Sequence, residues 1–255
     1  MKTLKKISLI ILMVITFQLT ANAQKDTIDI SKKELLMKNL SEGNDQYLVY
    51  GSVDGRILFS SIWSRTVKFE TFNNKDVINI SQSWVGTSKN QNREVYSVSS
   101  AENFEPIYHY TKSGKEIVEA FNFAKRRIYG TDTITNNSKR KFNLAISAPS
   151  LNWELDMEVF KTLPYAKGKT FVINFYHPGS KIGPQFYDYK VVGEETLKGL
   201  NGDIDCWIMK IDFGMTYGKY SAQTFWIDKK TKSTIKMSGV FGKLTRYKIK
   251  MGGII

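Results

Sequence analysis

About fifteen short runs rich in Val, Ile, Tyr, Phe, Trp and Thr succeed one another along this 255-residue chain, each bounded by turn residues. "YLVYGSV" and "RILFSSIW" flank Asp54-Gly55, a pair suited to the positive-φ positions of a two-residue hairpin turn. "TVKFETF" and "DVINISQSW" meet across Asn73-Asn74, and the spacing continues through "EVYSVSS", "EPIYHYT", "IVEAFNFA", "RRIYGTDTI" and "FNLAISA". The second half adds "TFVINFYH", "FYDYKVV", "DIDCWIMKIDF", "AQTFWID", "TIKMSGV" and "LTRYKIK". Neither a repeat nor a low-complexity linker divides the series. The pattern predicts an all-β fold, either a curved antiparallel sheet or a closed or half-open barrel.

Two stretches depart from it. "SKKELLMKNL" carries Ser31 as a potential N-cap with Glu34 three residues on, the arrangement of a capping box, and predicts a short N-terminal helix. "NWELDMEVFKTLP" predicts a connector helix near 152–163: Asn152 can cap it, Glu154 and Asp156 suit its first turn, and Pro164 stops it. Leu155, Val159 and Leu163 recur at helical spacing on one face. The helix would join two β halves, lying on the sheet or plugging an open barrel end.

The beginning of the chain bears on address. Lys2, Lys5 and Lys6 precede an apolar run from Ile7 to Leu19, and Ala21-Asn22-Ala23 forms an A-x-A cleavage site. The run is roughly 13 residues, short of the ~20 that a membrane span needs. Residues 1–23 therefore read as a secretory signal peptide cleaved before Gln24, leaving 24–255 as a single β-rich domain. No cysteine follows the apolar core, which argues against a lipoprotein, and no second run of spanning length occurs. The expected location is periplasmic or secreted, with no transmembrane segment after cleavage. Without the three signal-peptide lysines, 34 basic residues face 24 acidic ones, a net charge of +10. Such a surface favours peripheral contact with an anionic envelope surface. No zinc-finger, helix-turn-helix or RNA-recognition pattern accompanies the charge, so nucleic acid is not an expected partner.

Few residues carry catalytic or metal chemistry. Cys206 is the single cysteine and sits in an apolar strand, where a buried structural thiol is expected. His109 and His177 are the only histidines, too few with one cysteine for a zinc site, and no cofactor motif is present. Glu194-Glu195 and Asp203/Asp205 read as solvated strand ends. In "NFYHPGSKIGPQFYDYK" a hydrolase would use Ser180 as nucleophile, His177 as base and Asp188 to orient it. The serine lacks a G-x-S-x-G elbow, and Pro178-Gly179 and Gly183-Pro184 punctuate a hairpin loop instead.

"FWIDKKTKSTIKMSG", Phe225 to Gly239, resembles the W-I-D-x-x-T hairpin of bacterial envelope proteins built on the lipoprotein-carrier fold of LolA and LolB. A closer resemblance is to a domain-of-unknown-function family of bacterial periplasmic β-barrels. That family orders a helix, a G-K-x-F strand, a Y-K-V-x-G-x-E strand, a C-W-x-x-K strand and the W-I-D hairpin. The counterparts here are Trp153 to Leu163, Gly168 to Phe171, Tyr189 to Glu194, Cys206 to Lys210 and Trp226 to Asp228. The resemblance implies a curved sheet or barrel with an apolar interior and no known reaction.

Within "IDCWIMKIDF", Trp207, Met209, Ile211 and Phe213 alternate onto one face and Ile204, Cys206 and Ile208 onto the other, so both faces should be covered. Phe225 and Ile227 share a face of the next strong strand. One such set is expected to line the interior and the other to meet the connector helix through Leu155 and Val159. The expected function is non-catalytic binding of an apolar or lipid-like ligand in the barrel interior, with Trp207, Met209, Ile211, Phe225 and Ile227 as cavity candidates. The alternative is an envelope structural or interaction module with a filled core; a hydrolase using the 177–188 region comes third.

Overall fold

The computed structural model describes residues 25–252 apart from 73 and 115. The expected signal peptide, 1–23, and its cleavage point before Gln24 lie outside the described residues. Strands β1 (Lys25–Ile28), β2 (Gly43–Val53), β3 (Arg56–Phe72), β4 (Lys75–Gly86), β5 (Arg93–Ser100), β6 (Pro106–Ser113), β7 (Val118–Ala124), β8 (Arg127–Gly130) and β9 (Asn143–Ala145) make up the first half. The second half contains β10 (Leu151–Asn152), helix α1 (Asp156–Lys161), β11 (Thr170–Tyr176), β12 (Gln185–Leu197), β13 (Ile204–Thr216), β14 (Lys219–Asp228), β15 (Thr234–Phe241) and β16 (Leu244–Lys250). All sixteen belong to one sheet, ordered β1, β11 to β16, then β2 to β9, with β10 also on β11. The last strand thus pairs with the second, and the two sequence halves are continuous across β16 and β2. Only β1 and β10 pair in parallel, both with β11. The sheet curls like a barrel but its ends do not join by hydrogen bonds. Side chains close the seam: Tyr176 of β11 packs with Phe121, Ile128 and Ile146 from the far end.

Turn chemistry sets the hairpins. Asp54 and Gly55 have φ of 48° and 79°, both in the left-handed region that a type I′ turn requires. Tyr217-Gly218 repeats this between β13 and β14, with φ of 50° and 73°. That turn carries the two strands through "GMTYGKYS", which reads in sequence as a loop because its glycines look like breakers; one of them, Gly214, sits at a bulge. The W-I-D hairpin has a structural logic too. Asp228 accepts hydrogen bonds from the Lys230 N–H at 2.8 Å and the Thr231 hydroxyl at 2.5 Å, pinning the turn.

The N-terminal helix is replaced by two 3-10 turns, Ile30–Lys32 and Met37–Asn39. Asp29, not Ser31, is the cap: its carboxylate accepts from Ser31 N–H, and Glu34 reaches back to the Asp29 N–H. Lys33 adopts a left-handed conformation (φ 58°), which ends the first turn before an α-helix can propagate. Asn152 does cap the connector, accepting from Glu154 N–H at 3.0 Å, through a 3-10 turn (Trp153–Leu155) that leads into α1.

Helix α1 lies inside the curl rather than on its outer face. Leu155, Met157, Val159, Phe160 and Leu163 are all buried, together with Glu158 and Asp156. Leu155, Val159, Phe160 and Leu163 join Met209, Ile211, Phe225 and Ile227 in one core, in which Phe160 meets Tyr189 and Phe225 edge-on, each at 5.0 Å, while Met157 packs with Tyr47, Val49 and Trp63. The expected division between an interior face and a helix-facing face is thereby corrected. Trp207 pairs with Ile227 and Met209 with Phe225, so these residues share the inner face and the helix packs on that same face, while Cys206, Ile208 and Trp226 turn the other way.

Candidate ligand-binding cleft

Register writes the interior as rows. Cross-strand partners share a face, so one row runs Met209, Phe225, Met237, Lys248, Val49 across β13, β14, β15, β16 and β2. The next runs Ile211, Gln223, Gly239, Arg246, Gly51. The first row begins as packed core and ends on a lysine. The second, one step farther from the core, holds a glutamine, an arginine and two glycines. The helix fills the apolar side of the curl, and the polar side is left as a cleft.

The outer part of this cleft has a volume of about 730 Å³ and is walled by Trp153, Phe175, Tyr187, Ile211 and Phe213. Trp153 stacks on His177 with centroids 4.5 Å apart and meets Tyr187 edge-on at 4.2 Å. The rim includes Ile182, Phe186 and Tyr217, all strongly exposed. A recess of about 250 Å³ continues inward past Trp153, His177, Gln223 and Arg246 to Trp63, Trp84 and Lys248. Trp63 and Trp84 are cross-strand partners stacked at 3.7 Å and 4°. Arg93 lies over Trp84 at 4.6 Å and Lys248 over Trp63 at 4.7 Å.

Charges around the recess are mostly matched. Arg65 donates its Nε–H to Glu158 at 2.8 Å and a second N–H to the other carboxylate oxygen, a bidentate pair buried on both sides. Burial opposes the Arg65 charge, but Glu158 outweighs it and raises the guanidinium pKa. Arg93 grips Glu154 bidentately at 2.9 and 3.1 Å. Burial pushes the Glu154 carboxyl up, yet Arg93 and the nearby histidines hold it below the usual range. Lys248 differs: burial pulls it down to about 8, with only partial relief from Asp156.

Of the five cavity candidates, Ile211 lines the cleft. Met209, Phe225 and Ile227 lie in the close-packed core behind it, and Trp207 packs against that core partly buried. His177, Ser180 and Asp188 all border the outer cleft, but the polar contacts of Ser180 and Asp188 and the stacking of His177 are with other residues. Ser180 Oγ accepts from Ile182 N–H at 3.1 Å, Asp188 pairs with Lys25 at 2.8 Å, and the His177 ring stacks on Trp153. The Tyr176 hydroxyl donates to the Ser180 carbonyl, so this loop is a pinned hairpin forming part of the cleft wall. Cys206 is buried, and burial raises its thiol to about 12. Sequence reasoning missed Trp63, Trp84, Trp153, Arg93, Arg246 and Lys248. A signal existed in "SSIWSRTVKF", where Arg65 alternates in phase with Trp63 and Val67 and so must point inward with them.

A crystal structure of a "Beta-barrel-like Protein of Domain of Unknown Function DUF1849" from Brucella abortus aligns with 84% of this chain and 99% of its own, at 10% identity and a TM-score of 0.52. That similarity is one of fold. A DUF1329 family protein from Desulfovibrio piger (11% identity, 89% of this chain and 93% of its own) and a Bacteroides fragilis protein with a YmcC-like fold (9% identity, 84% and 97%) align with TM-scores of 0.35. No curated protein matches the sequence. The family described as "Protein of unknown function (DUF3108)" matches residues 46–250, most of the chain and every strand from β3 to β16, and the protein belongs to that family.

Proposed function

We propose that this is an exported, non-catalytic binding protein that takes an amphiphilic molecule into the cleft inside its curled sheet. The carrying observation is the cleft itself: about 730 Å³, open to solvent, with an aromatic wall and a few convergent polar groups. Small-molecule sites commonly have this size and lining. In this reading Ile211 touches the ligand, while Trp207, Met209, Phe225 and Ile227 form the rigid wall behind it. The likeness of the W-I-D hairpin to the lipoprotein carriers points the same way, as an analogy of fold. The signal sequence directs the chain to the periplasm or beyond, and intact mass of the envelope-fraction protein should correspond to a chain beginning at Gln24.

The test uses the tryptophans at the cleft. A dodecyl-chain amphiphile titrated below its micelle concentration should change the emission of Trp153, and Gly239→Leu should abolish the change. A Cβ at Gly239 meets Gln223 and Met237 side-chain atoms at 3.5 Å and the Arg246 carbonyl oxygen at 3.9 Å, all ordinary contacts, so the variant can fold while its longer side chain fills the space between Gln223 and Arg246. Absence of any emission change or heat of binding with neutral or charged amphiphiles would remove this reading. A second reading, an envelope interaction module, is favoured by Met215 and Tyr217, which stand 71% and 88% exposed on the β13–β14 hairpin tip. It requires a Tyr217→Ser change to weaken protein capture while cleft binding is unchanged.

A further inference from the structure

We propose that the cleft selects an anionic amphiphile, with Arg246 and Lys248 receiving its carboxylate or phosphate group and the aromatic wall taking the adjoining chain. This rests on the binding reading above and names the chemical class of its ligand.

The argument is one of unmatched charge. Other cations that point into the curl have partners: Arg65 with Glu158, Arg93 with Glu154, and Lys161 and Lys250 with Asp45 at 2.9 and 2.8 Å. Among the described residues, Arg246 and Lys248 make neither an ion pair nor a side-chain hydrogen bond. They are two apart on β16 and therefore on the same face. Lys248 is only 6% exposed, and its ammonium rests over the Trp63 ring in the recess. Arg246 borders both the recess and the outer cleft. The Asp156 carboxylate acts on both from a distance. Glu154 acts on both as well but is held by Arg93, and Glu158 by Arg65. Among the described residues Asp156 is thus the one carboxylate of the recess without a cationic partner, and two unpaired cations against it leave an excess of positive charge in a partly desolvated space.

A buried charge normally carries paired acceptors because desolvation is expensive. Here the acceptors are missing and the space in front of the donors is open. A guanidinium presents a planar fork of donors and an ammonium presents three more, a set that suits the oxygens of a carboxylate or phosphate. Gly239, paired with Arg246 on the neighbouring strand, adds no side chain beside it. An anionic head placed there would have its chain directed along the wall of Trp153, Phe213 and Tyr187 toward the exposed rim.

Calorimetric titration of the purified protein with dodecanoate, dodecyl phosphate, dodecanol and inorganic phosphate tests this. Both anionic amphiphiles should bind about ten-fold or more tightly than dodecanol. Whichever of the two binds more tightly identifies the carboxylate or the phosphate as the natural head. Lys248→Met and Arg246→Gln should each bring the ratio of anionic to dodecanol affinity down toward one, and Lys248→Met should fold because it deletes an unpaired charge. Equal affinity for charged and neutral amphiphiles would overturn the anion assignment and leave the binding function standing. Binding of inorganic phosphate without any amphiphile would keep the anion site and overturn the amphiphile. Binding of none of the four would overturn both.

Discussion

Lys248 shows what an unpaired cation in the cleft costs at the scale of one residue. Its neighbours are Asp156 from the helix, Arg246 from its own strand, Arg65 from β3 and Glu154, and their sum does not offset burial, so the ammonium is pulled down to about 8. The unfolded chain holds its proton to about 10.4. Folding is therefore penalised by roughly 3 kcal/mol wherever the folded protein must keep Lys248 charged, below about pH 8. Between pH 8 and 10.5 the unfolded state binds the extra proton, and stability should rise with pH. Lys248→Met should be more stable than the parent at pH 7 in urea unfolding, and the gap should close toward pH 10.5. A less stable Lys248→Met protein would show that the ammonium has a partner after all. His109 is fully buried beside the recess, near Glu154 and Arg93. Its Nδ1 accepts from the Asn152 amide at 3.0 Å and lies 2.8 Å from the Ser97 hydroxyl, which leaves the proton on Nε2, a buried nitrogen without a hydrogen-bond partner among the described residues. Burial lowers its pKa to about 4. A group kept neutral in the fold binds its proton more readily when unfolded, so stability should fall as pH drops from about 6.5 through 4. His109→Gln should flatten that limb between pH 6.5 and 4.5, above the range in which Glu154 titrates; an unchanged limb would assign it to His177, whose pKa burial also lowers.

The connector helix carries the argument at the scale of elements. It is six residues long, too short to be stable alone. Tertiary contacts hold it, and the buried Arg65–Glu158 pair is the polar one that ties it to β3. Breaking such a pair leaves a buried charge uncompensated, so Glu158→Leu should cost about 3–5 kcal/mol. Replacing both partners, Arg65→Met with Glu158→Leu, should recover most of that loss in chemical unfolding. Failure to recover would mean that Arg65 holds the sheet through Gln82 and the Glu154 carbonyl independently of Glu158, contacts which it also makes at 2.8 and 2.9 Å. The helix's place in the chain, its cap at Asn152 and its buried Leu155, Val159 and Leu163 were legible, because capping and spacing are local. Its position inside the curl was not. A helix on the outside and one inside both need an apolar stripe, and only Met157 and Glu158, buried on the remaining sides, distinguish them. The cleft was hidden for a related reason. In "LTRYKIK" the inward residues are Arg246 and Lys248 and the outward ones include Tyr247, stacked on Tyr50, so the usual alternation is inverted. The strand pattern reported that β16 existed but mislabelled its inner face.

For the whole molecule, sheet continuity and curl closure are separate properties. From β11 to β16 and on through β7, long strands pair antiparallel with extended registers, so opening any of them breaks many hydrogen bonds together. At the two ends the sheet thins. β1 contributes four residues to one side of β11, and β8 and β9 contribute four and three at the far end. Tyr176, Phe121 and Phe123 bridge the gap, with Phe123 edge-on to Tyr176 at 6.4 Å. The His177 hairpin that follows Tyr176 is also a wall of the cleft, so the seam and the cleft are mechanically joined. Local opening follows the regions with fewest buried contacts. Amides of β8, β9 and β1 should exchange with deuterium fastest among the strands, and those of β12 to β14 slowest. Tyr176→Ala should speed exchange at β8, β9 and the 177–184 loop together while β13 and β14 keep their protection. Because Trp153 stacks on His177, the same variant should also weaken amphiphile binding, although it removes no atom from the charged end of the cleft. Faster exchange confined to the 177–184 loop, with β8 and β9 unchanged, would show that the two ends of the sheet are held by something other than this aromatic seam.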